Sequence, residues 1–487
     1  MKRLIVILWG IAILAGCGGG GGGSAPPVPP GPAQATFWAA DLSIEPNPYY
    51  QVTANKVAEG LHCYVYLEQG QTVSQADIDK IRAEFDATIH PSVTVAFGSE
   101  PNPGIDNDPK IYILLLSVKD GFSYPANPAY IAGFFDPRNE YSTAQYAKSN
   151  QKEMFYMNVN PAVKDWYAPA SIDFFRTLAH EFQHMIHWEQ KDRLRNLRDD
   201  TWLDEGMGMV SPAYCGYGAD YGAVNTFEHA SSDSLTDWKD SYEDYGVVYM
   251  WAQYYKDRIG NDIFHRMLHN DLTGIASVNS ALVAAGYPKD FTGTFRDWAV
   301  ANYYGDGTTV PVPAGHPEWS YASINTWEGT YDGIPIPGLF PDSRQDTTTL
   351  QPLDQWSLGF YSYTPVSPPA GSITWSQTAG TEKGAFVDGG GSALTYDMLS
   401  GTTYNYTSKG YLILQNPAGT ATTLGDTVVR ADMSPVQVLA AANASPSVRA
   451  RVAAGGKPLC VDIGPSLRGR EKDMRAKGVR PQFQETR

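Results

Sequence analysis

The chain has 487 residues, 43% hydrophobic and 18% charged, with 30 Tyr and 12 Trp, which supports two or three domains with real cores and excludes wholesale disorder. Glycine (47) and proline (34) cluster rather than repeat, excluding a collagen-like chain, and four cysteines are too few for a disulfide-stapled scaffold. A net charge of −16 argues against nucleic acid as a partner, because phosphate binding relies on cationic neutralisation.

Lys2 and Arg3 precede an uncharged apolar run over residues 4–14. This is about half of the ~20 residues a spanning helix needs, so the run reads as the h-region of a signal peptide over residues 1–16. It ends in Leu14-Ala15-Gly16-Cys17, which matches the bacterial lipoprotein box. The match implies cleavage before Cys17 and lipid attachment to its thiol, and Gly18 resembles the outer-membrane sorting default. An ordinary secretory signal with a chance cysteine is the weaker alternative. The glycines of 18–23 and the prolines that follow form a tether over 17–36. The folded part is expected from about Phe37, just off a membrane surface. Residues 467–487 hold seven basic and three acidic residues, so the tail over 466–487 reads as a basic, solvated end.

Between residues 50 and 170 helix and strand signals mix. His62-Cys63-Tyr64-Val65-Tyr66 reads as a strand. Residues 74–89 open on a capping serine and space Ile78, Ile81 and Phe85 by three and four, which predicts an amphipathic helix. Ile111-Tyr112-Ile113-Leu114-Leu115-Leu116 predicts a strand buried on both faces, and 153–159 a shorter one. The acidic loop Gly104-Ile105-Asp106-Asn107-Asp108 has the character to hold Ca2+, but it is too short for an EF-hand and an ordinary turn is the better reading. Residues 171–305 read as mainly helical, with helices over 242–259, 262–270, 277–285 and 292–303. Beyond about residue 345, short aromatic or β-branched runs at 356–363, 372–375 and 410–414 predict an all-β, sandwich-like module over 345–465. Beyond Cys17, the cysteines Cys63, Cys215 and Cys460 are odd in number; they allow one disulfide and one free thiol without revealing the pairing.

His180-Glu181-Phe182-Gln183-His184 is an HExxH, a pentapeptide that also occurs by chance. Its context supplies the test. Ser171 is placed to cap a helix. At 100° per residue from His180, His184 lies at about 40° and His187 at about −20°, while Leu178, Phe182 and Met185 fall on the opposite side. One polar stripe thus holds both histidines, and an apolar face anchors the helix. Two imidazoles four residues apart suit a tetrahedral Zn2+, with Glu181 beside them placed to take a proton rather than to ligate. A third protein ligand is needed, and Glu205 in Trp202-Leu203-Asp204-Glu205-Gly206 is the best candidate. His187 lies about 4.5 Å further along the axis than His184, so it reads as a cleft residue or a support rather than a ligand.

HExxH followed by Glu in a Leu-(Asn/Asp)-Glu-Gly context resembles the gluzincins, the clan of thermolysin-like peptidases and related aminopeptidases. The run over 178–186 together with Trp202-Leu203-Asp204-Glu205-Gly206 resembles the hyicolysin-type secreted metallopeptidases of that clan, a likeness that extends over about residues 60–300. The resemblance implies an α+β fold: a zincin-like metallopeptidase domain over 37–340, with a mixed sheet, an active-site helix and a helical subdomain, followed by the β module. It implies His180, His184 and Glu205 as Zn2+ ligands and Glu181 as general base. Asp204 departs from the more usual Asn, at a position that is not a ligand. The aminopeptidase motif Gly-x-Met-Glu-Asn is missing, which favours an endopeptidase. Tyr242 and Tyr245 stand where related enzymes place an oxyanion-stabilising tyrosine; Tyr245 is preferred, and packing of their helix accounts for either equally well.

The leading reading is a lipid-anchored zinc endopeptidase of the bacterial cell envelope, at the outer membrane or cell surface. It would act on protein or peptide substrates by Glu-assisted attack of zinc-bound water. The alternative is a surface adhesin or carbohydrate-binding lipoprotein with a vestigial metal site. A zinc hydrolase acting on a non-peptide bond is third.

Overall fold

The structure, a computed structural model, describes residues 31–431 apart from Glu45, Pro125, Pro128, Trp166 and positions 332–333, 337, 340–342, 345–347, 351–352, 366–370, 378–381, 390–392, 400 and 418–426. The signal segment, Cys17, most of the tether, Cys460 and the basic tail therefore lie outside the described residues.

Strand β1 (Gln34–Ala40) pairs antiparallel with β2 (Tyr49–Glu59), and β2 with β3 (Cys63–Glu68). Among the described residues regular structure thus begins at Gln34, inside the segment expected to be tether. The predicted helix is α1 (Gln75–Glu84), capped by Ser74, which accepts from the Asp77 N–H. It continues past residue 89 through a π-helical turn (Phe85–Ile89) into α2 (His90–Phe97). Gly98, at φ 118°, ends it in a backbone conformation that a Cβ disfavours. β4 (Ile111–Leu116) runs parallel to β3, and β6 (Met154–Asn158) parallel to β4. β5 (Gly133–Phe135) returns antiparallel to β6, giving the order β1-β2-β3-β4-β6-β5.

β4 is buried on both faces, as its apolar run predicts. Ile111, Ile113 and Leu115 join Ile81 and Phe85 in the main core, whereas Tyr112, Leu114 and Leu116 join Phe37, Tyr66 and Tyr156 in a second. The rings of Phe37 and Tyr112 are 6.3 Å apart, although strands three places apart in a flat sheet are separated by about 14 Å. The sheet curls, and its second face closes on itself. The acidic loop before β4 does not assemble a Ca2+ site. Asp106 takes Lys152 Nζ at 2.6 Å, and Asp108 accepts from the Tyr64 hydroxyl and the Lys110 N–H, both at 3.0 Å.

The helical region comprises α3 (Ile172–His187), α4 (Thr201–Tyr214), α5 (Tyr221–His229), α6 (Tyr242–Arg258), α7 (Ile263–Leu268), α8 (Gly274–Ala284) and α9 (Phe291–Tyr304). α4 and α5 add to the helices expected from periodicity. α4 carries Gly206, Gly208 and Pro212, whose poor helix propensities mask the signal. β5 backs onto α3: a Cβ on Gly133 would stand 2.9 Å from Thr177 and 3.0 Å from the Tyr156 carbonyl oxygen, so glycine permits the approach. No described helix is long and apolar enough to cross a membrane.

After a hairpin of β7 (Thr330–Tyr331) and β8 (Ile334–Pro335) come β9 (Ser343–Arg344), β10 (Thr348–Leu350), β11 (Leu358–Tyr363), β12 (Gly371–Gln377), β13 (Lys383–Asp388), β14 (Ala393–Thr395), β15 (Thr402–Tyr406), β16 (Gly410–Gln415) and β17 (Thr427–Ala431). They form two sheets, in the orders β10-β17-β12-β15 and β14-β13-β16-β11-β9. Ile373, Trp375 and Tyr406 of the first share a core with Tyr363, Phe386, Leu412 and Leu414 of the second. The other face of the five-stranded sheet is buried too. Leu358, Ala385, Val387 and Ile413 join the main core, and Trp356 packs edge-on against Phe291 (4.7 Å) and Phe295 (5.2 Å) of α9. The β region is therefore cemented onto the helical region rather than strung behind it.

Candidate metal centre

α3 forms where its amphipathic pattern places it. Ser171 accepts from the Phe174 N–H at 3.2 Å, and Phe174, Leu178, Phe182, Met185 and Ile186 are fully buried. This apolar face presses the helix into the core and turns His180 and His184 towards α4. α4 is fixed in turn by Trp202, whose ring lies edge-on to Trp251 of α6 at 5.0 Å. Glu205, one turn into α4, is thereby carried to the two histidines.

The three side chains converge. His180 Nε2 and His184 Nε2 are 2.8 Å apart, and each lies 3.4 Å from Glu205 Oε2. Together they make a group whose donor atoms lie within 4.8 Å of one another. A tetrahedral zinc with bonds of about 2.0–2.1 Å separates its donors by about 3.3 Å, so two imidazole nitrogens and one carboxylate oxygen fit a small dication. His184 and Glu205 are sealed at 1% and 0% exposure, while His180 keeps 7%, so the site opens on the His180 side. Glu181, on the same turn of α3, is buried.

Asp204 supports this arrangement. Its Oδ1 accepts from His184 Nδ1 at 2.8 Å, and a proton held there leaves Nε2 with its lone pair facing Glu205. The aspartate in place of the more usual asparagine thus touches a ligand histidine without joining the donor set. His187 is buried and points away from the donor set, with Nδ1 at 3.0 Å from Asp204 Oδ1.

Gly208, which the sequence reading passed over, is where α4 passes directly against the His180 ring. A Cβ there would stand 2.7 Å from Cε1 and 2.9 Å from Nδ1 of His180. The signal was available, since a glycine inside a helix costs about 1 kcal/mol against alanine and so hints at a close approach. Gly208→Ala is expected to displace the His180 ring and weaken zinc binding, with a loss of up to about 10²-fold in activity. An unchanged melting temperature of the metal-free chain, measured beside zinc affinity, would tie that loss to the ring and not to the fold.

Tyr242 and Tyr245 open α6; the Tyr245 ring meets Trp238 edge-on at 5.0 Å, and Tyr242 is partly buried. Cys63 and Cys215 are both free and buried, so they do not pair with each other. Burial, with Glu84 nearby, pushes the Cys215 thiol up to about 12, which makes it an inert packing residue.

No family model matches the chain. It is 31% identical over 235 residues to the Neutral metalloprotease ShpI of Staphylococcus hyicus, an alignment covering 46% of this chain and 52% of that protein. Over that stretch the chain is similar to a metalloprotease. It spans about half the length of that relative. The His180–His184–Glu205 group could hold a metal ion, and the relative that the chain resembles over that stretch is a metalloprotease.

Proposed function

We propose that the chain is a zinc-dependent endopeptidase. The observation that carries this reading is the convergence of His180, His184 and Glu205 on one point, with Glu181 on the same turn of α3. His180 and His184 would hold the ion through Nε2 and Glu205 through a carboxylate oxygen. Bound there, Zn2+ supplies a Lewis acid that polarises a scissile carbonyl and lowers the pKa of a coordinated water to about 7. Glu181 accepts the proton of the attacking water and delivers it to the leaving amine. β5, an end strand of its sheet, packs on α3, and the relative that the chain resembles is a metalloprotease. That supports a peptide over another hydrolysable bond. Tyr245 and Tyr242 are the candidate donors to the oxyanion, a role whose loss typically costs about 10²- to 10³-fold in rate.

The lipoprotein box supports a lipid anchor at Cys17 and a place in the bacterial envelope, with the peptidase domain over 37–340 and the β module after it. The adhesin alternative draws little support. It needs a self-standing β module, whereas the five-stranded sheet shares its core with α9. The purified chain is expected to bind zinc stoichiometrically, to cleave casein, to lose that activity in a chelator and to regain it with added zinc. Equal cleavage after the metal has been stripped would sink the reading.

A further inference from the structure

Behind His184, outside the donor set, lies a second buried polar arrangement. His187 is three residues on, at the end of α3, and only 1% exposed. Its Nδ1 lies 3.0 Å from Asp204 Oδ1, the same oxygen that accepts from His184 at 2.8 Å. Its Nε2 faces Asp199 Oδ2 at 3.5 Å, and the Asp199 side chain is equally buried. Asp199 is itself tied down, because its other oxygen accepts from the N–H of Gly274, the first residue of α8, at 2.7 Å and from the Asp200 N–H at 3.0 Å. The loop before Gly274 is held as well: Lys191 Nζ donates to the carbonyls of Asn270 (2.9 Å) and Leu272 (2.6 Å). Each imidazole nitrogen thus stands within 3.5 Å of a carboxylate oxygen in a water-poor setting, and burying such polar groups is costly unless they act on one another, so the arrangement is not a filler of the core.

We propose that Asp199 and His187 are positioning residues, which hold Asp204 and through it the His184 ring in the orientation that presents Nε2 to the metal. The inference rests on the zinc reading above and deepens it. Asp204 stands at the start of α4, and a carboxylate whose Oδ1 faces two imidazoles is held more narrowly than one that faces His184 alone. A second imidazole on the same oxygen fixes the rotamer. The Asp199 carboxylate, fastened to the N-terminus of α8, fixes that imidazole. The ligand geometry is thereby referred to the helical region rather than to α3 and α4 alone.

The test compares the full chain with its His187→Leu, His187→Gln and Asp199→Asn variants. Three quantities are read: zinc affinity by competition with a chromophoric chelator, the visible absorption of the Co2+-substituted protein, and the melting temperature of the metal-free chain. His187→Leu is expected to weaken zinc binding by about 10-fold, the low end for outer partners of a ligand, because Asp204 still bonds His184. Its Co2+ bands should shift. His187→Gln, which keeps a donor towards Asp204, should recover most of the affinity, and Asp199→Asn should lose less than His187→Leu. Wild-type affinity and an unshifted Co2+ spectrum in His187→Leu overturn this proposal alone. So does an affinity loss matched by a fall in metal-free melting temperature that His187→Gln does not repair. A wild-type chain that binds no zinc overturns the metal centre and this proposal together.

Discussion

Glu181→Gln is expected to lower kcat for peptide hydrolysis by about 10²- to 10⁴-fold while leaving zinc content unchanged. Glutamine has the shape of glutamate, so α3 keeps its cap at Ser171 and its buried apolar face. What the amide lacks is a basic oxygen able to accept a proton from the attacking water and pass it to the leaving nitrogen. The side chain is 1% exposed, so bulk solvent has little access with which to replace it. Casein cleavage and zinc content measured on the same preparation separate the two roles open to this residue. Full activity in the variant would sink the general-base assignment, and loss of zinc would make Glu181 a ligand instead.

Asp136→Ala is expected to destabilise the fold by about 3–5 kcal/mol. Asp136 follows directly on β5, and its carboxylate takes the Arg138 guanidinium in a two-pronged pair, Nε to Oδ1 at 2.7 Å and Nη2 to Oδ2 at 3.0 Å. Both side chains are 1% exposed, and the Tyr49 hydroxyl donates to the same carboxylate at 2.6 Å. Removing the acid alone leaves a buried guanidinium without its counter-charge. Replacing both partners, Asp136→Leu with Arg138→Met, should recover part of the loss, since no guanidinium is then stranded, while the Tyr49 hydroxyl and the backbone N–H of residue 138 still lack their acceptor. Urea unfolding of the single and double variants checks this.

The parts of the site that are local in the chain were legible. The 3.6-residue period puts His180 and His184 on one face whatever surrounds them, and the capping role of Ser171 is set by the three residues that follow it. The wheel also separated His187 from the ligands by its height along the axis, and in the structure that side chain turns to Asp204 and Asp199. Less was legible in α4, where two glycines and a proline dilute the helical signal, so Glu205 was found by resemblance rather than by periodicity. β5 is three residues long, too short to alternate visibly, yet it is an end strand of its sheet and packs on α3. The β region was visible as short strands, but its attachment through Trp356 to Phe291 and Phe295 joins residues more than sixty positions apart.

From the chain alone came the local pattern: an HExxH on an amphipathic helix, and a glutamate in the right company to complete the donor set. Those features rest on neighbouring residues and survive any packing. Tertiary structure decided how the donor set is built and held. α3 and α4 must pack before Glu205 reaches 3.4 Å from both histidines, and Gly208 must lack a Cβ for the His180 ring to fit. The segment after α3 must turn back to set Asp199 against His187, and α8 must pack against it to hold Asp199 through the Gly274 N–H. Contacts of this kind join segments far apart in the chain through close packing, and no local period encodes them.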